Sequence, residues 1–373
     1  MILPEREHGI VKDVTEFVKE LLNEYYPSLG ECVAVDPIKE GDTNNSFMAR
    51  VRSEEGLQDW YVRQYCEAEQ EREIIYEHAF ELYYNERVNG EIQTMAPVVN
   101  TTGKTWLHKE FNGIENYYAV FSRIHGREPY SWEYNDLTEN ALNSCAEITA
   151  KFQAWAYGFA GPEGSGRRES SLEEQFEEWK VLIPKALEEK SQDLAFRRFT
   201  WYFKDVVPFL VDTADFCARE LDKYKADLKI CINHKDLNPG NVMFDDNDEV
   251  CAVFDMDWVN SDYRLYDVGW MAYQAIASWD TEHYGEVPMD KIGRFVEVYN
   301  RVMHERQCPL GELNEAEVKF LTTMMIIGAM KVIVDFVYYE DHRHEVHRLF
   351  ANTWRFVNSI KYMRDYVEQG KEL

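Results

Sequence analysis

One stretch of the sequence, CINHKDLNPGNVMFDDNDEVCAVFDMDW at residues 231–258, concentrates side chains that could do chemistry. It places seven acidic residues and one histidine among short apolar runs. The runs KICIN, NVMF and VCAVF predict three short strands, and DDND predicts the tight turn between the last two. Asp236 and Asn241 then lie on the loop that enters a hairpin, and Asp255 lies at its exit. A single hairpin therefore brings these three side chains to one place.

The three side chains have the composition of a phosphoryl-transfer centre. Three oxygen donors facing one point are typical of a hard cation such as Mg2+, which fills its other positions with water or phosphate oxygens. In such a centre one Asp deprotonates the accepting hydroxyl, while an Asn and a second Asp hold metal. The spacing HxDxxxxN, followed by an Asp after the next hairpin, assigns these roles to Asp236, Asn241 and Asp255. The alternative, a surface hairpin with a polar turn, explains Asp245 and Asp246 but not the polar residues within the apolar frame.

The run INHKDLNPGNVMF, the following VFDMDW and the trailing YRLYDVGW together resemble the catalytic region of the aminoglycoside phosphotransferase and choline kinase superfamily. The resemblance implies a protein-kinase-like α+β fold with two lobes, a small antiparallel sheet in the first and mainly helices in the larger second. It implies that Asp236 is the catalytic base, that Asn241 and Asp255 bind Mg2+, and that ATP is the co-substrate. It further implies that Asp267 braces the catalytic loop and that His234 is a packing residue of that loop.

The resemblance extends to the segments that bind the nucleotide. KEGDTNNSFMARV, residues 39–51, is similar to the family's first hairpin, so Thr43, Asn44 and Asn45 are expected to cover the phosphates. REIIYEHAFELYY resembles the helix whose glutamate faces the phosphate-binding basic residue, which indicates Glu77.

The third strand departs from the family pattern. It usually ends in a basic residue, as in YVLK or YVLR, whereas this sequence has YVRQ. Strand alternation puts Val62 and Gln64 on one face and Tyr61 and Arg63 on the other. Gln64 occupies the place of the family's inward basic residue, where its amide can bond a phosphate oxygen, and Arg63 is the alternative anchor. A glutamine at this place resembles the N-acetylhexosamine 1-kinase branch of the family. The segments TNNSF and GAMKVIVDFVYYED resemble that branch and the homoserine-kinase-like group.

The elements around these motifs predict two lobes. Helical spacing at residues 12–25 and 72–86, with strand patterns such as SFMARVRS, DWYVRQYC and NYYAVFSRI, predicts a small sheet with one long helix. After residue 136 helical spacing dominates.

The connection VFSRIHGREPYSW carries Gly and Pro, and the boundary is expected there. The prediction is an N-terminal nucleotide-binding lobe over residues 1–121 and a C-terminal lobe over residues 122–373. By resemblance, the backbone of Ser122 and Arg123 meets the adenine at this hinge. Ligand sites favour such interfaces between domains.

The acceptor is expected to be a small hydroxyl compound that binds near Asp257 and Trp258. The branch resemblance favours N-acetylhexosamine or another sugar. An amino alcohol such as homoserine or choline, and an aminoglycoside, are the alternatives.

Composition narrows the class of protein. The formal charge of −28 argues against nucleic-acid and anionic-membrane partners, which require clustered Lys and Arg. Seven scattered cysteines indicate neither a disulfide framework nor a zinc ribbon. No apolar run approaches a membrane span and the N-terminus lacks the zones of a signal peptide, so a cytoplasmic protein is expected.

Other interpretations of the motifs remain open. VFDMD is also compatible with a haloacid-dehalogenase-type phosphatase or with the DxD of a glycosyltransferase, although those motifs are short. A pseudokinase that binds nucleotide without transferring phosphate is a further alternative, favoured by Gln64. The histidines of DHRHEVH, residues 341–347, could bind a metal, but a solvated helix face explains them better.

Overall fold

The computed structural model describes residues 8–38, 44–65, 70–131, 135–279, 283–339, 342–371 and 373. The first third of the chain contains α1 (His8–Tyr25), β1 (Glu31–Ile38), β2 (Asn45–Ser53), β3 (Gly56–Gln64), α2 (Glu71–Val88), β4 (Gln93–Thr94), β5 (Trp106–Phe111) and β6 (Ile114–Ser122). Five of these strands form one antiparallel sheet in the order β1-β2-β3-β6-β5. The predicted helices and strands of this region are therefore present.

The two faces of this sheet pack against different partners. Because side chains alternate along a strand, Phe47 and Val51 of β2 and Val62 of β3 share a face, which packs on Leu21 and Leu22 of α1. The opposite face carries Tyr61 of β3 and Tyr65, which directly follows β3, and it packs with Ile74 of α2 and Phe121 of β6. This second face borders the helical part of the molecule.

The rest of the chain is mainly helical. It contains α3 (Glu139–Ala156), α4 (Leu172–Ser191), α5 (Arg197–Tyr224), β7 (Ile230–Asn233), β8 (Val242–Phe244), β9 (Val250–Val253), β10 (Asn260–Tyr263), α6 (Leu265–Ile276), α7 (Met289–Glu305), α8 (Glu315–Val334) and α9 (Val346–Glu368). The predicted hairpin is β8 and β9, and β4 adds to β9 as a parallel strand. The third predicted strand, β7, pairs instead with β10 in a separate two-stranded sheet that the sequence patterns did not predict.

Local signals begin several of the helices. Thr138 caps α3, since its hydroxyl accepts the amide proton of Ala141 at 3.2 Å. At the start of α8, the side chain of Asn314 accepts the N–H of Glu317 at 2.9 Å, while the Glu317 carboxylate accepts the Asn314 N–H at 2.9 Å. Such reciprocal bonds satisfy amide groups that a helix leaves open at its start.

The helix α8 is the centre of the helical part. The stretch Glu315–Tyr339 is long and apolar enough to cross a membrane by length and composition, but 83% of its most apolar window is buried inside the protein. A helix that is apolar on all sides and covered by its neighbours is typical of a protein core.

The expected α+β, protein-kinase-like fold is confirmed, with an antiparallel sheet followed by a mainly helical region. The sheet ends at Ser122. A functional division of the chain after residue 121 stays a prediction.

Candidate active site

A cavity of about 620 Å³, here called the cleft, lies between the hairpin β8–β9 and the face of the sheet that carries Tyr61, which is the cleft face. The sheet contributes side chains that include Asn44, Ser46, Tyr61 and Arg63. The helical part contributes Asp236, Asn238, Asn241, Asp255, Asp257 and Trp258. The loop after β7 and the segment after β9 thus face the same space, as the hairpin argument predicted.

Side-chain hydrogen bonds hold the Asp236 loop in one conformation. Asn241 Nδ2 donates to the Asp236 carbonyl oxygen at 2.8 Å and to Oδ2 at 2.7 Å. Asn238 Nδ2 donates to the same carbonyl at 2.9 Å and to Oδ1 at 3.1 Å, and Trp270 Nε1 donates to Oδ1 at 3.3 Å. Burial, and then the charge of Asp255, raises the pKa of Asp236 to about 6. The carboxylate is therefore fixed in position and still ionised at neutral pH.

Asp267, at the start of α6, braces the strained start of this loop. Its carboxylate accepts the backbone N–H of His234 at 2.6 Å and that of Lys235 at 2.9 Å. Lys235 has a φ of 72°, a conformation that costs on the order of 1–3 kcal/mol for such a residue. Burial raises the pKa of Asp267 to about 7, and the two N–H groups oppose this shift.

His234 packs beneath the loop. Its side chain is fully buried, and Nε2 lies 2.9 Å from the carbonyl oxygen of Phe254. Burial lowers the pKa of His234, which keeps the ring neutral. The ring therefore links the Asp236 loop to the strand end that precedes Asp255, and among the described residues it does not line the cavity.

The oxygen donors fit a divalent cation. Asn241 uses Nδ2 to bond Asp236, which leaves its amide oxygen as the atom that can ligate a metal. Asp255 follows β9 in the left-handed conformation, with a φ of 65°, and its carboxylate is 43% exposed toward the cavity. A carboxylate and an amide oxygen are ligands that Mg2+ accepts.

The prediction that Gln64 points into the cleft is wrong. Arg63 points there, donating from Nη1 to Glu77 Oε1 at 2.8 Å and from Nη2 to Asp255 Oδ1 at 2.9 Å. Gln64 lies on the face shared with Val62, toward α1, and accepts a bond from Asn45 Nδ2 at 3.3 Å. The alternation was predicted correctly, but only the packing of α1 decides which face borders the cleft.

Glu77 of α2 is almost fully buried, and its carboxylate accepts bonds from Arg63 and from the Tyr65 hydroxyl, the latter at 3.0 Å. The predicted partnership between this glutamate and a basic residue of β3 therefore exists, with Arg63 as the basic residue. The ion pair reaches across the cleft because Arg63 also contacts Asp255.

Some of the other residues expected to contact the nucleotide line the cavity, and one lies outside the described residues. Asn44 lines the cavity and donates to Asp257 Oδ2 at 3.3 Å, whereas Thr43 lies outside the described residues. Ser122 and Arg123 both line the cavity. The Ser122 N–H already donates to the Ala96 carbonyl at 3.0 Å, and the contact of the Ser122 and Arg123 backbone with adenine stays a prediction.

Sequence reasoning missed a group of residues that contact Asp236, Trp258 or one another. They are Arg167, Lys235, Tyr266, Trp270 and Lys331, and they come from four separate parts of the chain. Spacing within a motif carries no signal for contacts of this range.

The sequence model of the phosphotransferase enzyme family matches residues 37–292, which include strands β2 to β6 and the loop of Asp236. The chain belongs to this family. It is a phosphotransferase that acts on an alcohol group of a small molecule, and the superfamily resemblance is confirmed.

Solved structures share the fold of this phosphotransferase at low identity. The microcompartment-associated aminopropanol kinase is 15% identical with a TM-score of 0.65, covering 96% of this chain and 99% of its own. Spectinomycin phosphotransferase is 14% identical with a TM-score of 0.65, covering 95% and 98%. Choline kinase from Cryptosporidium parvum is 14% identical with a TM-score of 0.60, covering 95% and 97%. No curated protein sequence matches the chain.

Proposed function

We propose that this phosphotransferase moves the γ-phosphate of ATP to a hydroxyl of a small metabolite, with Asp236 as the base. One observation carries the proposal: Asp236, Asn241, Asp255 and the cation Arg63 all line one cavity. The similar spectinomycin phosphotransferase was solved with ADP, and a similar amicoumacin kinase with AMP-PNP and Ca2+. Both support a nucleotide in this cleft, and the second also supports a divalent cation.

Each of these side chains has a separate role in an in-line transfer of the phosphoryl group. Asp236, ionised at neutral pH, orients the acceptor hydroxyl and takes its proton as the oxygen attacks phosphorus. The new bond joins the acceptor oxygen to the γ-phosphorus, the bond from that phosphorus to the bridging oxygen breaks, and ADP leaves. Arg63 supplies fixed positive charge toward the phosphates while Glu77 holds it in place. Asn241 and Asp255 would hold Mg2+, which neutralises phosphate charge when bound.

Only resemblance to other proteins narrows the chemical class of the acceptor molecule. A sugar such as N-acetylhexosamine is the first candidate from sequence, and an amino alcohol or an antibiotic is supported by the names of the structural neighbours. We expect the reaction to take place in the cytoplasm, where ATP is available.

The test separates binding from chemistry. Asp236→Asn should keep MgATP affinity within about threefold and lower turnover by roughly 10²- to 10⁴-fold, since proton transfer is lost. Asp255→Ala should weaken MgATP binding itself. Calorimetric titration of MgATP and a coupled ADP-release assay measure the two quantities.

Two outcomes contradict the proposal. Unchanged turnover in Asp236→Asn would remove Asp236 as the base. Tight nucleotide binding with no transfer to any sugar, amino alcohol or aminoglycoside would favour a nucleotide-binding protein without transferase activity.

A further inference from the structure

The region beyond Asp236 contains a lysine, Lys331, that forms no ion pair with a carboxylate among the described residues. Lys331 of α8 is only partly exposed, and its Nζ donates to the Tyr266 hydroxyl at 3.0 Å. Within the part of the chain that the structure describes, no carboxylate lies within ion-pair distance of this nitrogen. Burial opposes the charged form, but the neighbouring Tyr266 and Asp335 hold the pKa of Lys331 above its ordinary value. The side chain therefore presents a positive charge.

Neighbouring cations of this acidic chain are paired. Lys235, whose Nζ lies 3.8 Å from the centre of the same Tyr266 ring, contacts both Glu169 and Asp262. Arg63 contacts Glu77 and Asp255. A cation removed from water without a counter-ion is costly, so an unpaired one beside a cavity indicates an anion that arrives with a ligand.

Contacts place Lys331 near Asp236 and Trp258. Trp270, which donates to Asp236, packs over Gly328, and a Cβ at Gly328 would lie 2.8 Å from its ring. Lys331 follows Gly328 by three residues and so lies on the same face of α8. Its Nζ is 5.5 Å from the ring centre of Trp258, which lines the cavity. The ammonium is also among the charges that act on the Asp236 carboxylate.

Trp258 is surrounded by the protein's own cations. The guanidinium of Arg167 lies 4.1 Å from the ring centre of Trp258, in addition to Lys331 at 5.5 Å. An aromatic ring next to a site commonly binds the amine of a cationic ligand. Here two cations of the protein itself already lie against the Trp258 ring, where such an amine would bind.

We propose that the acceptor is a hydroxy acid, whose carboxylate pairs with Lys331 while its hydroxyl meets Asp236. A carboxylate carries one unit of charge and matches a single ammonium, whereas a phosphate carries up to two. The inference rests on the proposed function, because the transfer itself is unchanged and the carboxylate takes no part in bond making. It replaces a sugar or an amine as the expected acceptor.

The experiment compares acceptors that share a carbon skeleton. Glycerate, glycerol, 3-amino-1,2-propanediol and glycerol 3-phosphate form one set, and glucuronate and N-acetylglucosamine a second. With MgATP and wild-type protein, we expect the carboxylate member of at least one set to have the highest kcat/KM by about tenfold or more.

Variants at Lys331 test whether this lysine causes the preference for an acceptor that carries a carboxylate. Lys331→Met should lower kcat/KM for the hydroxy acid by roughly 10- to 150-fold, mainly through KM, as expected for the loss of a bond to a charged group. Lys331→Arg should restore much of it. The matched control is Lys185→Met, because Lys185 also donates to a tyrosine hydroxyl, that of Tyr338 at 2.6 Å, but lies on the surface.

The outcomes separate this inference from the function it rests on. If MgATP is bound but a neutral, amine or phosphate acceptor is preferred, or no hydroxy acid reacts, or Lys331→Met leaves kcat/KM unchanged, the hydroxy acid assignment is overturned. If MgATP is not bound, the proposed function fails, and that result is seen before any acceptor is added. Melting temperatures of all variants exclude simple unfolding.

Discussion

At the scale of single residues, Arg63 and Gln64 provide the sharpest comparison. They are adjacent in β3 and both buried, but only Arg63 lines the cavity. Arg63→Ala should lower MgATP affinity or turnover by roughly 10- to 150-fold, since a charged contact worth on the order of 1.5–3 kcal/mol is lost. Gln64→Ala should stay within about threefold of wild type. The measurements are calorimetric MgATP binding and initial rates.

Stability must be followed in the same two variants. Removal of Arg63 leaves Glu77 buried and without its cation, which costs about 3–5 kcal/mol in comparable buried pairs. If Gln64→Ala is the damaging change for nucleotide binding and Arg63→Ala is silent, the cleft face of β3 has been assigned wrongly.

His78 gives the protein a predictable sensitivity to acid. Burial, and then the charge of Arg63, lowers the pKa of His78 to about 3, against about 6.5 in an unfolded chain. The unfolded chain therefore binds a proton that the folded protein excludes. The stability contributed by neutral His78 is fully present above about pH 6.5 and is lost as the pH falls toward 3.

We expect His78 to account for about 2 kcal/mol of unfolding free energy lost between about pH 8 and about pH 5. Urea unfolding of the wild type and of His78→Gln at both pH values measures the difference. Gln cannot titrate but can still bond Thr105 or Tyr65, the two partners of the imidazole. An equal loss in both proteins would contradict the prediction.

At the scale of elements, the packing of α6 on α8 positions Trp270 against Asp236. Gly328→Ala places a Cβ 2.8 Å from the Trp270 ring, closer than van der Waals contact allows. We expect a loss of about 1–3 kcal/mol of unfolding free energy, together with lower turnover, because the indole must move from Asp236.

Gly269→Ala on α6 is the matched control for this interface. Its added Cβ would lie 3.2 Å from Cγ of Met324, a side chain that adapts easily. Since alanine also favours helix by up to about 1 kcal/mol, the variant should be close to wild type in stability and turnover. Denaturant unfolding and initial rates are measured for both. The packing argument fails if the two substitutions have the same effect.

At the scale of the whole molecule, the charge of −28 sets the response to salt. Repulsion among surface carboxylates destabilises the compact state, and salt screens it over a Debye length of about 10 Å at 0.1 M. We expect the melting temperature to rise by a few degrees, roughly 2–5 °C, between about 0.02 M and about 0.3 M NaCl. An uncharged solute of equal osmolality serves as the control, and a fall in melting temperature with salt would contradict the prediction.

Much of this protein follows from sequence alone. The α+β fold, the helices α1 and α2 and the hairpin β8–β9 could be predicted, because apolar periodicity and turn residues act locally. The spacing in HKDLNPGN also brings Asp236, Asn241 and Asp255 to one cavity, since a hairpin joins its two ends over a short distance.

Only the tertiary structure decided the remaining features of the site. Alternation divides β3 into two faces, but the packing of α1 on Val62 determines that Arg63 points into the cleft. Lys331 and Arg167 approach Trp258 from segments far apart in the chain. Long-range contacts of this kind depend on how helices pack, and a local pattern of residue types carries no information about them.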